Sequence, residues 1–164
     1  KKDKILCAKF RKGHFEGVLD VMNKLTKIVR PKKIFMGEKD FQQLYLVKRE
    51  LVKKYKTKVI PCKTVRDRNN VALSSRNLLL NKSNLIIAAK IYEKLVSIKK
   101  NTKKEKNIRN FLNLQKKELK NNYKIKIDYL ELRNIKNLKI SSTNKNSRLF
   151  IAYYLNKVRL IDNL

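Results

Sequence analysis

The sequence is poor in the residues that bind metals or form disulfides. Across 164 residues it holds two cysteines, Cys7 and Cys62, and one histidine, His14. Two thiols make no disulfide framework, and with a single histidine they provide no zinc-ligand spacing. They read as free thiols in a reducing cytoplasm. Long apolar runs are missing as well. No stretch approaches the ~20 residues of a membrane helix, and Lys1-Lys2-Asp3 does not open a signal peptide. No internal repeat recurs. The first residue is not methionine, which raises the expectation that a segment has been lost upstream.

Acidic residues are scarce, 13 against 43 lysines and arginines, for a net charge of +30. Such a balance suggests nucleic acid or an anionic membrane surface as a partner. The cations, however, run from end to end, and lysine far outnumbers arginine, the residue that base edges and bidentate phosphate contacts favour. Asparagine and isoleucine are abundant too, as expected of a compositional drift towards Lys, Asn and Ile codons. Drift and a selected polyanion surface therefore stand as two readings, and both allow weak attraction of nucleotides at low salt. Hydrophobic residues make up 42%, enough for a packed core.

From Gly17 to Val29 the spacing of Val18, Val21, Met22, Leu25 and Ile28 predicts an amphipathic helix, ended by Pro31. Ile34-Phe35-Met36, stopped by Gly37, reads as a strand buried on both faces. Phe41 to Tyr55 is again helical, with Asp40 as its N-cap. Lys58-Val59-Ile60 gives a second strand. Short connections between these elements indicate part of a doubly wound parallel sheet. Two strands are too few for one, so residues 1–66 call for neighbours.

Beyond residue 66 the turn-rich Arg66-Asp67-Arg68-Asn69-Asn70 marks a hinge. Asn81 caps a helix through about Ile98, with Leu85, Ala88, Ala89, Tyr92 and Leu95 inward. A second helix runs from about Lys104 to Asn121. Ile125–Leu132, Leu149–Leu155 and Arg159–Ile161 read as strands. Tyr153 and Tyr154, beside Phe150, belong to core or interface packing.

Two segments carry chemistry. Gly37-Glu38-Lys39-Asp40 stands where a parallel strand gives way to a helix, the position where open α/β sheets bind ligands. Glycine permits close backbone approach, Lys39 offers a cation for phosphate, and Asp40 accepts from ribose hydroxyls. A capped turn explains the four residues equally well. Leu73-Ser74-Ser75-Arg76-Asn77 supplies hydroxyls and a guanidinium suited to a triphosphate, although a polar loop accounts for it alone.

The wording of the chain is more specific than either segment. Arg11-Lys12-Gly13-His14-Phe15-Glu16-Gly17-Val18 resembles the RPGHFxGV segment of pantothenate synthetases (pantoate–β-alanine ligases). Gly37 to Gln43 matches their GEKDxQQ motif without a mismatch. Thr64-Val65-Arg66-Asp67 with Ala72 to Asn77 is similar to their xVREADGLAxSSRN stretch. Ile127 to Glu131 resembles their DYxE strand, and Ala152 with Arg159 to Asn163 their closing A…RLIDN. The matches follow family order over nearly the whole chain.

The resemblance implies an α/β fold: the C-terminal part of a Rossmann-like nucleotidyltransferase parallel sheet (residues 1–66), then a small α+β lid domain (67–164). It implies a cytoplasmic homodimer in pantothenate and coenzyme A synthesis, with ATP, pantoate and β-alanine as substrates, Mg²⁺ required, and no specific nucleic acid or membrane partner. Pantoyl adenylate is the implied intermediate. By the same resemblance ATP contacts Gly37, Glu38, Lys39, Asp40, Val65, Leu73, Ser74, Ser75 and Arg76, with Glu38 open to a structural role. Gln43 binds pantoate, and Lys39, Ser74, Ser75 and Arg76 stabilise transition-state charge.

Several positions depart from the family pattern. Nothing matches the PTMGxLHxGH segment whose histidines bind ATP, and His14 cannot replace it. Lys12 stands for proline, Asn70 for a turn glycine and Asn156 for another; asparagine tolerates left-handed turns. The expectation is a chain that aggregates and is inactive without the N-terminal half. A basic nucleic-acid-binding module and a nucleotide-binding remnant without activity are the alternatives.

Overall fold

The computed structural model describes residues 4–164; the Lys1-Lys2-Asp3 start lies outside them. The chain divides into two compact units, the first ending at Thr64 and the second spanning Val65–Leu164. Their architecture is mixed α/β: a parallel sheet in the first unit and a small antiparallel sheet in the second.

In the first unit a short helix α1 (Cys7–Phe10) precedes α2 (His14–Val29), β1 (Lys33–Gly37), a single 3₁₀ turn (Glu38–Asp40), α3 (Phe41–Tyr55) and β2 (Lys58–Cys62). The two strands pair in parallel from Lys33↔Lys58 to Gly37↔Cys62. A parallel pair cannot be joined by a hairpin, so α3 makes the crossover and must pack on the sheet. Val47 and Leu51 of α3 and Val59 of β2 form the buried centre, with Val18, Leu19, Met22, Ile34, Met36 and Tyr55 against it.

Two expectations are corrected here. Of the stripe expected to face inward on α2, only Val18 and Met22 reach the core; Val21, Leu25 and Ile28 are exposed, Ile28 at 77%. Nor is β1 buried on both faces. Its side chains alternate, Ile34 and Met36 turning to the core while Phe35 is 66% exposed on the other side. The cause is the same in both cases. One two-stranded sheet and one crossover helix offer apolar cover to a single side of each element.

The second unit has a closed core. After a bridge between Arg66 and Ala72 and a 3₁₀ turn (Ser75–Leu79) come α4 (Lys82–Asn101), α5 (Ile108–Tyr123), β3 (Lys126–Asn134), β4 (Ser147–Leu155) and β5 (Val158–Asn163). The strands form an antiparallel sheet in the order β3-β4-β5. Ile91, Leu95 and Ile98 of α4 and Leu112 and Leu119 of α5 pack with Leu132, Leu149, Ile151, Tyr153 and Leu155.

Asn81 caps α4 as expected, its side-chain oxygen accepting from the Asn84 N–H at 2.8 Å. The buried row of α4 is Ala88, Ile91, Leu95 and Ile98, while Tyr92 stays half-buried at its side. The second helix begins later than expected because Asn107 caps it, accepting from Asn110 N–H at 3.0 Å. Asn70 and Asn156 adopt φ of +63° and +53°, the left-handed turns anticipated for them.

Strand β3 carries a bulge between Ile127 and Tyr129. The additional residue, Asp128, switches the inward set from Ile127 to Leu130 and Leu132. It also carries a carboxylate 2% exposed, held by Arg159 Nε of β5 at 2.8 Å.

Lys99, near the end of α4, donates from Nζ to the Ser147 carbonyl at 2.8 Å. Burial, with the nearby charges of Arg148 and Lys103, lowers its pKa to about 8. Between about pH 8 and 10.5 the unfolded chain then holds a proton at this site that the folded chain has released. Folding stability contributed by Lys99 therefore rises with pH through that window and is flat below it. Thermal unfolding of the chain and of Lys99→Met across pH 7–10.5 is expected to show wild type gaining on the variant above pH 8. Parallel curves would show that Lys99 is not desolvated.

Candidate nucleotide site

Gly37 ends β1 in extended conformation at φ −66° and ψ 133°. A Cβ built there meets nothing within 4 Å, so the backbone at the carboxyl end of the strand lies open to a ligand. Glu38, Lys39 and Asp40 form the 3₁₀ turn, with Lys39 and Glu38 half-buried and Asp40 exposed. Asp40 does not act as the expected side-chain cap: at φ −92° and ψ 51° its carboxylate makes no cap hydrogen bond to α3. The 3₁₀ turn already delivers the chain into the helix, and the carboxylate is left to face solvent. Because Gly37 pairs with Cys62, the end of β2 leaves the sheet at this same edge.

The adjacent glutamines of the motif differ in role. Gln42 is buried, accepting from Cys7 N–H at 3.0 Å and donating to the Ile5 carbonyl at 2.9 Å, which fastens the segment before α2 to α3. Gln43 is half-buried one position on. Sequence reasoning did not assign Gln42, and its pairing with residues 35 and 37 positions earlier leaves no local signal. His14 is the first residue of α2, its ring 4.9 Å from that of Phe15. Gly13 before it needs glycine: its φ is +75°.

In the second unit, residues 65–77 form a small tied segment. The Leu73 N–H donates to the Val65 carbonyl at 3.0 Å, flanking the Arg66–Ala72 bridge. Asp67 closes the tip, its Oδ1 accepting from Asn69 N–H at 2.8 Å and Val71 N–H at 2.9 Å. Val65 and Leu73 remain 67% and 50% exposed.

Ser74 Oγ accepts from the Arg76 N–H at 3.1 Å and starts the 3₁₀ turn that presents Ser75 and Arg76 to solvent. Arg76 Nη1 donates to the Arg159 carbonyl at 3.3 Å, and Asn77 Nδ2 to the Ala72 carbonyl at 3.1 Å. Arg66 is anchored more firmly. Its guanidinium meets Asp162 through two hydrogen bonds of 2.7 and 2.8 Å and lies 4.3 Å from the Tyr92 ring centre. Burial opposes its charge, but the hydrogen bonds and charge of Asp162 outweigh it and raise the Arg66 pKa.

Each unit thus presents open backbone or polar groups at the positions singled out in the sequence: 37–43 in the first, 65 and 73–76 in the second. The Pantoate-beta-alanine ligase family matches residues 1–164. The chain belongs to that family.

Among individual pantoate–β-alanine ligases, the pantothenate synthetase of Flavobacterium psychrophilum is 39% identical over 163 residues, 95% of this chain and 56% of the relative. That of Francisella tularensis subsp. mediasiatica is 42% identical over 161 residues, 97% and 53% of the two chains. The crystal structure of pantothenate synthetase from Thermus thermophilus superposes with a TM-score of 0.89 at 29% identity, covering 99% of this chain and 60% of that one. A Francisella tularensis pantoate–β-alanine ligase complexed with Beta-gamma ATP and Beta-alanine gives 0.75 at 36% identity, covering 99% and 54%. The chain spans about half the length of the curated relatives it matches.

Asp67→Ala removes the acceptor for two backbone amides at the tip of the tied segment. A loss of about 1–2 kcal/mol in unfolding free energy is expected. Denaturant titration of the variant measures it, and an unchanged midpoint would show that Asp67 does not close the turn.

Proposed function

We propose that the chain serves the pantothenate synthetase reaction, the ATP-dependent joining of pantoate to β-alanine, and needs for it the part of the family's length that it does not span. The observation that carries this reading is the open Gly37 end of β1 followed by Lys39 and Asp40, in a member of this ligase family. A carboxylate oxygen of pantoate attacks the α-phosphorus of ATP and pyrophosphate leaves. The amine of β-alanine then attacks the acyl carbon of the adenylate, and AMP leaves.

In this scheme Gly37 and Glu38 border the nucleotide, Lys39 offsets phosphate charge, and Asp40 accepts from the ribose. Gln43 hydrogen-bonds pantoate. From the second unit Val65 and Leu73 serve the adenine and phosphates, while Ser74, Ser75 and Arg76 donate to phosphate oxygens. Arg76 is suited to this because its exposed guanidinium donates to the Arg159 carbonyl through a long hydrogen bond of 3.3 Å, which a charge-assisted bond to phosphate exceeds in strength. Among the described residues no group of three Asp, Glu, His or Cys converges to hold a metal. These residues alone build no cage for the Mg²⁺ implied by the resemblance. Likewise, no helix among them is long and apolar enough to cross a membrane; a cytoplasmic homodimer is the form proposed for the whole enzyme.

Single-turnover assays with ATP and pantoate test the reading. The 164-residue chain alone is expected to form no adenylate. Addition of a polypeptide covering the N-terminal half of the Francisella relative is expected to restore it. In the restored system Lys39→Ala and Arg76→Ala are each expected to slow adenylate formation by about 10²–10³-fold, the usual cost of removing a donor that acts on developing charge. Adenylate formed by the chain alone would overturn the requirement, and full rates in both variants would overturn the assigned roles.

A further inference from the structure

We propose that the Arg66–Asp162 ion pair is the positioning element of the nucleotide segment, fixing Val65 and Leu73 by tying their hairpin to β5. The inference rests on the reading above, in which residues 65–76 meet ATP.

Burial holds the hairpin at Val71 and Ala72, and Asp67 closes its tip, but neither reaches the residues read as meeting ATP. Val65, Leu73, Ser75 and Arg76 are exposed, so burial does not fix their places. Arg66 sits opposite Ala72 in the bridge, directly between Val65 and the tip, and its side chain is only 16% exposed. Nη1 and Nη2 engage both oxygens of Asp162, and Nη1 also donates to the Asn70 carbonyl at 3.0 Å within the hairpin itself. Asp162 is fixed in turn, accepting from the Asn163 N–H at 2.7 Å. The same strand supplies the Arg159 carbonyl to Arg76, and Arg159 is bound through its side chain to Asp128 in the β3 bulge. One strand therefore holds both limbs of the segment.

Stability alone does not call for such a pair. Removing two charges from water costs about as much as their attraction returns, and apolar side chains of similar volume are commonly as good or better. What the pair supplies is direction: a planar guanidinium fork on a carboxylate admits one orientation, which a lysine or an apolar contact does not impose. The Tyr92 ring under the guanidinium and the buried Tyr153 beside the pair narrow the choice of arrangement further. The Tyr153 phenol is pushed well above its ordinary pKa by burial and by the Asp162 charge.

Three forms of the full chain decide the matter: wild type, Arg66→Lys, and the double variant Arg66→Met with Asp162→Leu. The Arg66→Lys form keeps the charge and loses the fork; the double variant removes the charges and keeps an apolar contact. Amide hydrogen exchange at Val71 and Leu73 is expected to quicken at least ten-fold in both variants, with the β4 amides unchanged. ATP is expected to bind at least five-fold more weakly to both, while the melting temperature of the double variant stays at or above that of wild type. Wild-type protection of Val71 and Leu73 in a folded variant would overturn the proposal. So would β4 exchange rising in step with the hairpin, since the pair would then act on global stability. Absence of ATP binding by wild type in the restored system would instead count against the nucleotide reading, with the exchange measurements still deciding the role of the pair.

Discussion

The parallel pairing of β1 and β2 is the constraint from which the first unit follows. Parallel strands need a crossover, the crossover is α3, and the apolar side of α3 fixes which side chains of the strands turn inward. The in-register pairing from Lys33↔Lys58 to Gly37↔Cys62 then brings both carboxyl ends to one edge. Loops at that edge are free of strand hydrogen bonding, so glycine backbone and charged side chains collect there without disturbing the ladder. The position of Lys39 and Asp40 is in this sense a consequence of topology. The second unit meets a different requirement: its antiparallel sheet is covered by α4 and α5 and its core is complete between Val65 and Leu164.

Local signals were readable where one short stretch contains its own cause. Asn81 and the residues it caps lie within one turn, and Asn70 and Asn156 take left-handed φ because their side chains tolerate it. The strands and helices of the second unit were visible through periodicity to within a few residues. What was not visible depends on partners distant in sequence. Val21, Leu25 and Ile28 have helical spacing, but spacing does not say whether a neighbour exists to cover them. Phe35 looked buried because short apolar strands in whole parallel sheets are.

The Asp128 bulge changes which β3 residues face the core, and the carboxylate it carries is attached to β5. Arg66 and Asp162 are 96 residues apart. In the candidate site the motif residues themselves were legible, since GEKDFQQ and SSRN are continuous words. The groups that hold them, Gln42, Asp67, Arg66 and Asp162, required coordinates.

The distribution of charge bears on the +30 balance. The ion pairs withdrawn from solvent use arginine: Arg66 with Asp162, Arg133 with Glu131, and Arg159 with Asp128. Lysine makes the exposed ones, Lys24 with Asp20, Lys54 with Glu50 and Lys94 with Glu118. Exposed pairs contribute ~0–1 kcal/mol and tolerate exchange, whereas a guanidinium fork on a buried carboxylate cannot be replaced by an ammonium without losing a hydrogen bond. The three arginine pairs withdrawn from solvent are places where geometry resists such an exchange. They lie at the hairpin, the β3 bulge and the turn after β3, and two of those three fasten the segment proposed to meet the nucleotide. High positive charge and an intact set of directional contacts are thus compatible. The first is a property of the surface, and the second rests on a few guanidinium contacts withdrawn from solvent.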